Sequence, residues 1–349
     1  MVLEEELFYK KRKLFIEQGA IIMKKLVGVA PCKTELIEVE EPQIKKGTHV
    51  KVRLKCCGVC MSEHYAWSVG EKKSFGHEPI GVVVEVGDEV KRIKVGDRVS
   101  GLFDGSSEYA VANEHDVFKL PDSISDEEGV LEPLACLISA VSKVRIKVVG
   151  ERVAVVGCGY MGCGAIGLLK LRGAYVVAVD INPESVKNAL KYGADEAYLV
   201  SELPESCLYI PGSGLNFDGT PGGFSLVMEW GETNESLDLA IRMTQQCGQL
   251  AIGAYHTGEK RLVDVQMLNV KAIDCLSTHP RERDLSREGC KNAIMLMESG
   301  AWNYKHVPTK VYPISMFDKA QSELSTKFGK YLKAVVDFTR EDFEPYIIE

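Results

Sequence analysis

The chain has 349 residues, 45% hydrophobic and 26% charged, enough for two domains with complete cores and typical of a soluble globular protein. A net charge of −8 argues against nucleic acid as the main partner, since phosphate binding needs clustered cations. No apolar run approaches the roughly 20 residues that span a bilayer, so no membrane partner is expected.

Residues 1–22 carry Glu4-Glu5-Glu6 ahead of Lys10-Lys11-Arg12-Lys13, the wrong order for a secretory signal. Residues 3–18 can form one amphipathic helix, and the segment reads as a solvated or partner-docking extension. With no targeting signal apparent, the cytoplasm is expected. Eleven scattered cysteines, several in apolar contexts (Cys136, Cys163, Cys275), fit reduced thiols there.

From Met23 to about Gly105 the text is strand-like. Residues 50–55 alternate with period two, residues 82–86 are a β-branched run, and Gly87-Asp88 and Gly96-Asp97 mark turns. This predicts a β-rich domain. Residues 123–129 suggest a helical turn or two, and Pro133 opens an apolar helix to about Val144. Strand and helix then alternate: strand 153–156, helix 161–172, strand 175–179, helix 183–192. Later strands are expected at 226–229, 249–252 and 273–276, helices at 290–298 and 314–324, and a last strand at 332–338. The alternation predicts βαβ units and a doubly wound parallel sheet, hence an α/β protein.

Gly157-Cys158-Gly159-Tyr160-Met161-Gly162 follows the strand at 153–156 and opens a helix. Asp180 ends the next strand, eighteen residues after Gly162. Strand, glycine loop, helix, strand and acid in that order predict a dinucleotide site formed by Gly157, Gly159, Met161, Gly162 and Asp180. A carboxylate at 180 accepts hydrogen bonds from ribose hydroxyls but repels a 2′-phosphate, which favours NAD over NADP.

The second constellation is earlier. Gly76-His77-Glu78 begins a strand-like run, and His77 lies seventeen positions after Cys60 of Cys57-Gly58-Val59-Cys60. Each residue also has a plainer reading. Cys57 and Cys60 could be half of a structural zinc knuckle, although no second pair completes it. His77 could be a satisfied core histidine, and Glu132 could cap the helix beginning at Pro133.

Taken together, these motifs resemble the zinc-dependent medium-chain dehydrogenase/reductase family, the alcohol and polyol dehydrogenases. The resemblance runs from Met23 to Phe338 and includes Gly96-Asp97-Arg98-Val99, Glu108-Tyr109-Ala110 and Tyr192-Gly193-Ala194. It implies a GroES-like catalytic domain (23–137 and 278–349) around a Rossmann NAD-binding domain (138–277). It further implies zinc held by Cys60 and His77. The Glu-Pro at 132–133 is similar to that of sorbitol and sugar dehydrogenases, where either Glu78 or Glu132 completes the ligand set. Three protein ligands leave a fourth position open, and the Lewis acid lowers the pKa of bound water from ~16 to about 7.

The same resemblance implies that Lys333 reaches the pyrophosphate and that Ser62 passes a proton to His64 or to Tyr65, which stands where relatives have histidine. Ser62, His64 and Glu78 are therefore the expected catalytic side chains. Glu63 is expected to support the histidine ligand. The lobe that carries four cysteines and a structural zinc in relatives is missing after Val99, so one zinc per subunit is expected.

The sequence therefore predicts a zinc- and NAD-dependent dehydrogenase of a secondary alcohol, a polyol or sugar, working as a homodimer or homotetramer. The rivals are a zinc-free quinone or enoyl reductase of the same fold and a non-catalytic nucleotide-binding protein.

Overall fold

A computed structural model describes residues 21–209, 222–326, 329–340 and 342–348. The helix expected at 3–18 lies outside them. In chain order come strands β1 (Ile22–Ala30), β2 (Lys33–Glu40) and β3 (His49–Val59), helix α1 (His64–Val69), and strands β4 (Pro79–Val86), β5 (Arg98–Gly101), β6 (Tyr109–Asn113) and β7 (Val117–Lys119). Then follow α2 (Leu131–Lys143), β8 (Arg152–Val156), α3 (Tyr160–Leu171), β9 (Tyr175–Asp180), α4 (Pro183–Lys191), β10 (Glu196–Leu199), β11 (Phe224–Glu229), α5 (Asn234–Met243), β12 (Thr244–Ile252), α6 (Val265–Val270), β13 (Asp274–Ser277) and α7 (Arg283–Glu298). The chain closes with β14 (Thr309–Pro313), α8 (Phe317–Thr326), β15 (Lys333–Asp337) and β16 (Tyr346–Ile348).

Contacts divide the chain into two units. One comprises the described residues up to Glu132, Thr309–Thr326 and those from Lys333 onward; the other comprises Pro133–Pro308 and a short segment ending at Leu332. Residues 278–308 thus group with the second unit. The first unit has a β1-β2 hairpin and a larger sheet in the order β16-β14-β15-β3-β4-β5-β7, with β6 also paired to β3. Period-two alternation explains β3: Val50, Val52 and Leu54 are buried. Lys51 is buried as well, neutralised by Glu41 at 2.5 Å.

The second unit holds the parallel sheet β10-β9-β8-β11-β12-β13. Its central strands read as unbroken apolar runs, Val153–Val156 and Val176–Val179, and all eight of these residues are buried. That is the signature of strands covered on both faces. Chain order reverses between β8 and β11, the topological switch point where such sheets bind ligands. Helix α4 starts where the sequence says it should, with Pro183 in its first turn and the Asn182 side chain accepting from Glu184 N at 2.9 Å.

Some expectations fail for identifiable reasons. Residues 123–129 form turns, because backbone and side chains there serve neighbours: Asp126 pairs with Lys55 (2.7 Å) and Arg98 (3.0 Å). The helix expected at 290 begins at Arg283, and the one expected at 314 is a 3₁₀ turn leading into α8. Helices α1, α5 and α6 and strands β6, β7, β10, β14 and β16 are not among the elements expected from the sequence.

Lys271 shows what local pattern hides. It is fully buried, and its ammonium donates to the carbonyls of Ile241 (2.6 Å), Tyr209 (2.9 Å) and Arg242 (3.3 Å), satisfying carbonyls at the end of α5. Burial, helped by repulsion from Arg242, lowers its pKa from 10.5 to about 8. Between those values the unfolded chain binds more protons than the folded one, so this lysine's contribution to stability rises with pH across that window. Complete realisation is worth on the order of 3 kcal/mol. The stability of the wild type relative to Lys271→Met should therefore climb between pH 8 and 10 in paired thermal melts; a flat difference contradicts the assignment.

Candidate metal centre and dinucleotide loop

Strand pairing builds the first site. Cys60 follows directly on β3, extended at φ −111°, before the chain turns into a 3₁₀ turn and α1. His77 and Glu78 precede β4, which runs antiparallel to β3 with Cys57 opposite Pro79 and Gly58 N donating to Glu78 O at 2.9 Å. This register carries residues 60 and 77–78 to the same end of the sheet. Ligand atoms of Cys60, His77 and Glu78 all lie within 4.8 Å of one another.

His77 is oriented from behind. Its Nδ1 sits 3.1 Å from Glu63 Oε1, which also accepts from Gly76 N at 3.0 Å. The other ring nitrogen, Nε2, is thereby left for a ligand. Burial, the largest influence, acts to lower the imidazole's pKa; the Cys60 sulfur and the Glu63 carboxylate more than reverse this and hold it above its usual range.

Glu78 is completely buried, and Lys333 Nζ approaches its Oε2 to 2.5 Å while also donating to Val59 O at 3.1 Å. Lys333, assigned from the sequence to a pyrophosphate, is turned instead to Glu78. Glu78 Oε1 is buried with no hydrogen-bond partner. An orphaned carboxylate oxygen beside a cysteine sulfur and an imidazole is a donor set that fits a divalent ion such as zinc. Gly58 is required here, because a Cβ on it would stand 1.8 Å from Glu78 Oε2. Glu132 opens α2 outside the three-residue group; its charge is felt by Lys333.

Ser62 Oγ lies 3.2 Å from Cys60 Sγ. His64 packs its ring 5.3 Å from that of Trp67 and keeps a buried Nδ1 without a partner. No hydrogen bond joins Ser62 to His64 among the described residues. Tyr65 is exposed. Two supports escaped sequence reading. Asp318 of α8 accepts from Trp67 Nε1 at 2.8 Å and from Thr34 Oγ1 at 2.9 Å, anchoring α1. Gln321, one turn on, donates to Cys60 O at 3.2 Å. Neither has a local signal, since each acts across more than 250 residues of chain.

The glycine loop lies in the second unit. Gly157 has φ +90°, which a side chain would strain, and a Cβ there would meet Gly231 N at 2.8 Å. A Cβ on Gly162 would fall 1.9 Å from Gly157 O. Gly159, the N-cap of α3, faces open space with nothing within 4 Å of its missing Cβ, and no side chain caps the helix. The result is an open cradle at a helix N-terminus, suited to a pyrophosphate. Met161 lies in the first turn of α3. Asp180 ends β9, its two carboxylate oxygens accepting from Cys158 N (2.7 Å) and Asn182 N (2.8 Å). Each oxygen retains a lone pair for a ribose hydroxyl.

Known families match segments in both parts of the chain. Residues 46–122 match the family described as the alcohol dehydrogenase GroES-like domain, and residues 161–297 the zinc-binding dehydrogenase family. The (R,R)-butanediol dehydrogenase of Bacillus subtilis (strain 168) is 34% identical over 200 residues, covering 45% of this chain and 57% of that protein. That alignment takes in less than two thirds of the relative's length. Sorbitol dehydrogenase 1 of Saccharomyces cerevisiae is 26% identical over 84% of this chain and 92% of its own. The crystal structure of 2R,3R-butanediol dehydrogenase from Bacillus subtilis superposes with a TM-score of 0.73 at 26% identity, covering 90% of this chain and 99% of that one. With a GroES-like domain, a Rossmann-type parallel sheet and both family matches in the expected order, the chain belongs to the zinc-binding medium-chain alcohol dehydrogenase family.

Proposed function

We propose that the chain is a zinc- and NAD-dependent dehydrogenase of a secondary alcohol, a polyol or a sugar. The observation that carries this reading is the group Cys60, His77 and Glu78 with its orphaned carboxylate oxygen. The first unit serves as the catalytic domain and the second as the dinucleotide-binding domain. Similarity to proteins named butanediol and sorbitol dehydrogenases supports the substrate class.

Cys60 and His77 hold one zinc, with Glu78 or Glu132 completing the set. Bound there, the ion supplies Lewis acidity that makes an alcohol proton easier to remove. NAD supplies the hydride acceptor. The protein's own part is positional. Glu63 fixes the face of His77, Lys333 pairs with Glu78, and Gln321 steadies the backbone at Cys60. Ser62 and His64 are assigned to the proton's exit. Asp180 selects NAD, since the adjoining Ile181-Asn182 offers no cation to receive a 2′-phosphate.

Eleven free thiols suit a cytoplasmic setting, and no described helix is long and apolar enough to cross a membrane. Strand β13 is an open sheet edge with Asp274, Cys275 and Ser277 exposed, and Val265 and Val270 of α6 are exposed as well. A second copy covering these residues gives the dimer or tetramer expected for this family. A single monomeric boundary in sedimentation at micromolar concentration contradicts it.

The deciding experiment is NADH formation across secondary alcohols, polyols and sugar alcohols, with and without a chelator. The reading predicts chelator-sensitive turnover of a polyol, with NAD preferred to NADP. Chelator-insensitive reduction of quinones or enones supports the zinc-free reductase instead. Bound NAD with no turnover supports a binding protein.

A further inference from the structure

At the carboxyl ends of β11 and β12, in the second unit, lies a buried polar network. Glu229 ends β11 and is fully buried. Its Oε1 accepts from Ser236 Oγ (2.7 Å), Gly231 N (2.8 Å) and Glu232 N (3.0 Å), and its Oε2 faces His256 Nε2 at 2.8 Å. Arg261 Nε donates to His256 Nδ1 at 3.2 Å, while its guanidinium also reaches Glu232 O, Thr257 O and Glu259 O. An arginine can only donate, so Nδ1 must accept and the imidazole's proton sits on Nε2, pointing at Glu229. Every member is satisfied in one arrangement alone.

The backbone bends to allow it. His256 has φ +51° and Glu232 φ +62°, a region that residues other than glycine adopt only in a few per cent of cases. The network ties the loop after β11 to the loop after β12. The first of these also abuts the glycine loop: Trp230 N donates to Val156 O at 2.7 Å, and Gly157 has room for no side chain because of Trp230 and Gly231.

Asp180, on β9, marks one side of the switch point as the adenosine side. A dinucleotide lying across that point extends its other half over the ends of β11 and β12. We propose that Glu229, His256 and Arg261 form a clamp that shapes the nicotinamide half of the cofactor site, with His256 as its central positioning residue. This inference rests on the NAD reading above.

The test compares NADH with ADP-ribose, which has no nicotinamide, by titration of the purified full chain. His256→Ala should weaken NADH binding about tenfold, as loss of hydrogen bonds to a charged partner does, and leave ADP-ribose within about twofold. His256→Asn should restore NADH binding, because its amide can donate to Glu229, accept from Arg261 and tolerate the positive φ. Glu229→Gln should behave like His256→Ala, since its amide cannot serve the single tautomer the network permits. If His256→Ala does not fold, Arg261→Met on the outer loop carries the same comparison. Equal losses for both ligands, or no loss for either, overturn the clamp. A wild type that binds neither ligand overturns the NAD reading itself.

Discussion

Cys60→Ser should lower kcat by about three orders of magnitude and leave the purified protein without tightly held zinc. Lewis acidity at a reacting oxygen is worth several kcal/mol, and ~4 kcal/mol corresponds to about a thousandfold in rate. Serine keeps the size of the side chain and its hydrogen bonding but provides no thiolate at neutral pH, so the loss is one of ligation rather than packing. His77→Ala should do the same. The double variant should be hardly worse than either alone, because residues acting on one ion are not additive. Ser62→Ala is the internal control: its hydroxyl touches the Cys60 sulfur from outside the ligand group, so metal content should persist. Metal analysis with steady-state kinetics reads both. Full activity in Cys60→Ser removes that thiolate from the chemistry.

Lys333→Met should be strongly destabilising. It strips the counter-charge from Glu78, a carboxylate with no exposure, and breaking a buried pair costs about 3–5 kcal/mol. Adding Glu78→Gln to it should return most of that stability, because the uncompensated charge is then gone. Zinc should raise the melting temperature of Lys333→Met more than that of the wild type, since the ion replaces the missing cation beside Glu78. Denaturant unfolding of the two singles and the double, with and without zinc, gives the coupling. Additive losses indicate that Lys333 and Glu78 merely share a neighbourhood.

Much of the molecule was legible in its sequence. Val153–Val156, the glycine loop and Asp180 predict strand, turn, helix and strand because their constraints are local: burial on both faces, room at glycine and a helix start. Cys60 and His77 were legible through spacing and resemblance. What brings them together is the β3–β4 register, which only the folded chain displays.

The rest was hidden by distance along the chain. Lys333 looks like any lysine before an apolar strand, and nothing nearby says that β15 pairs with β3 and buries its ammonium against Glu78. Asp318 and Gln321 sit on an ordinary amphipathic helix, and their partners lie at Trp67 and Cys60. Lys271 reads as a surface charge and is a buried cap. The acidic stretch at 123–129 has helical composition, but Asp126 is drawn into a pairing with Lys55 and Arg98. In each case a tertiary partner outweighs the local preference.

The most direct test of the account is a crystal of the zinc-loaded protein examined by anomalous diffraction at the zinc edge. The account predicts one peak per chain, about 2.3 Å from Cys60 Sγ and about 2.0 Å from a ring nitrogen of His77. A protein saturated with zinc whose peaks lie elsewhere, with those two side chains directed apart, contradicts it.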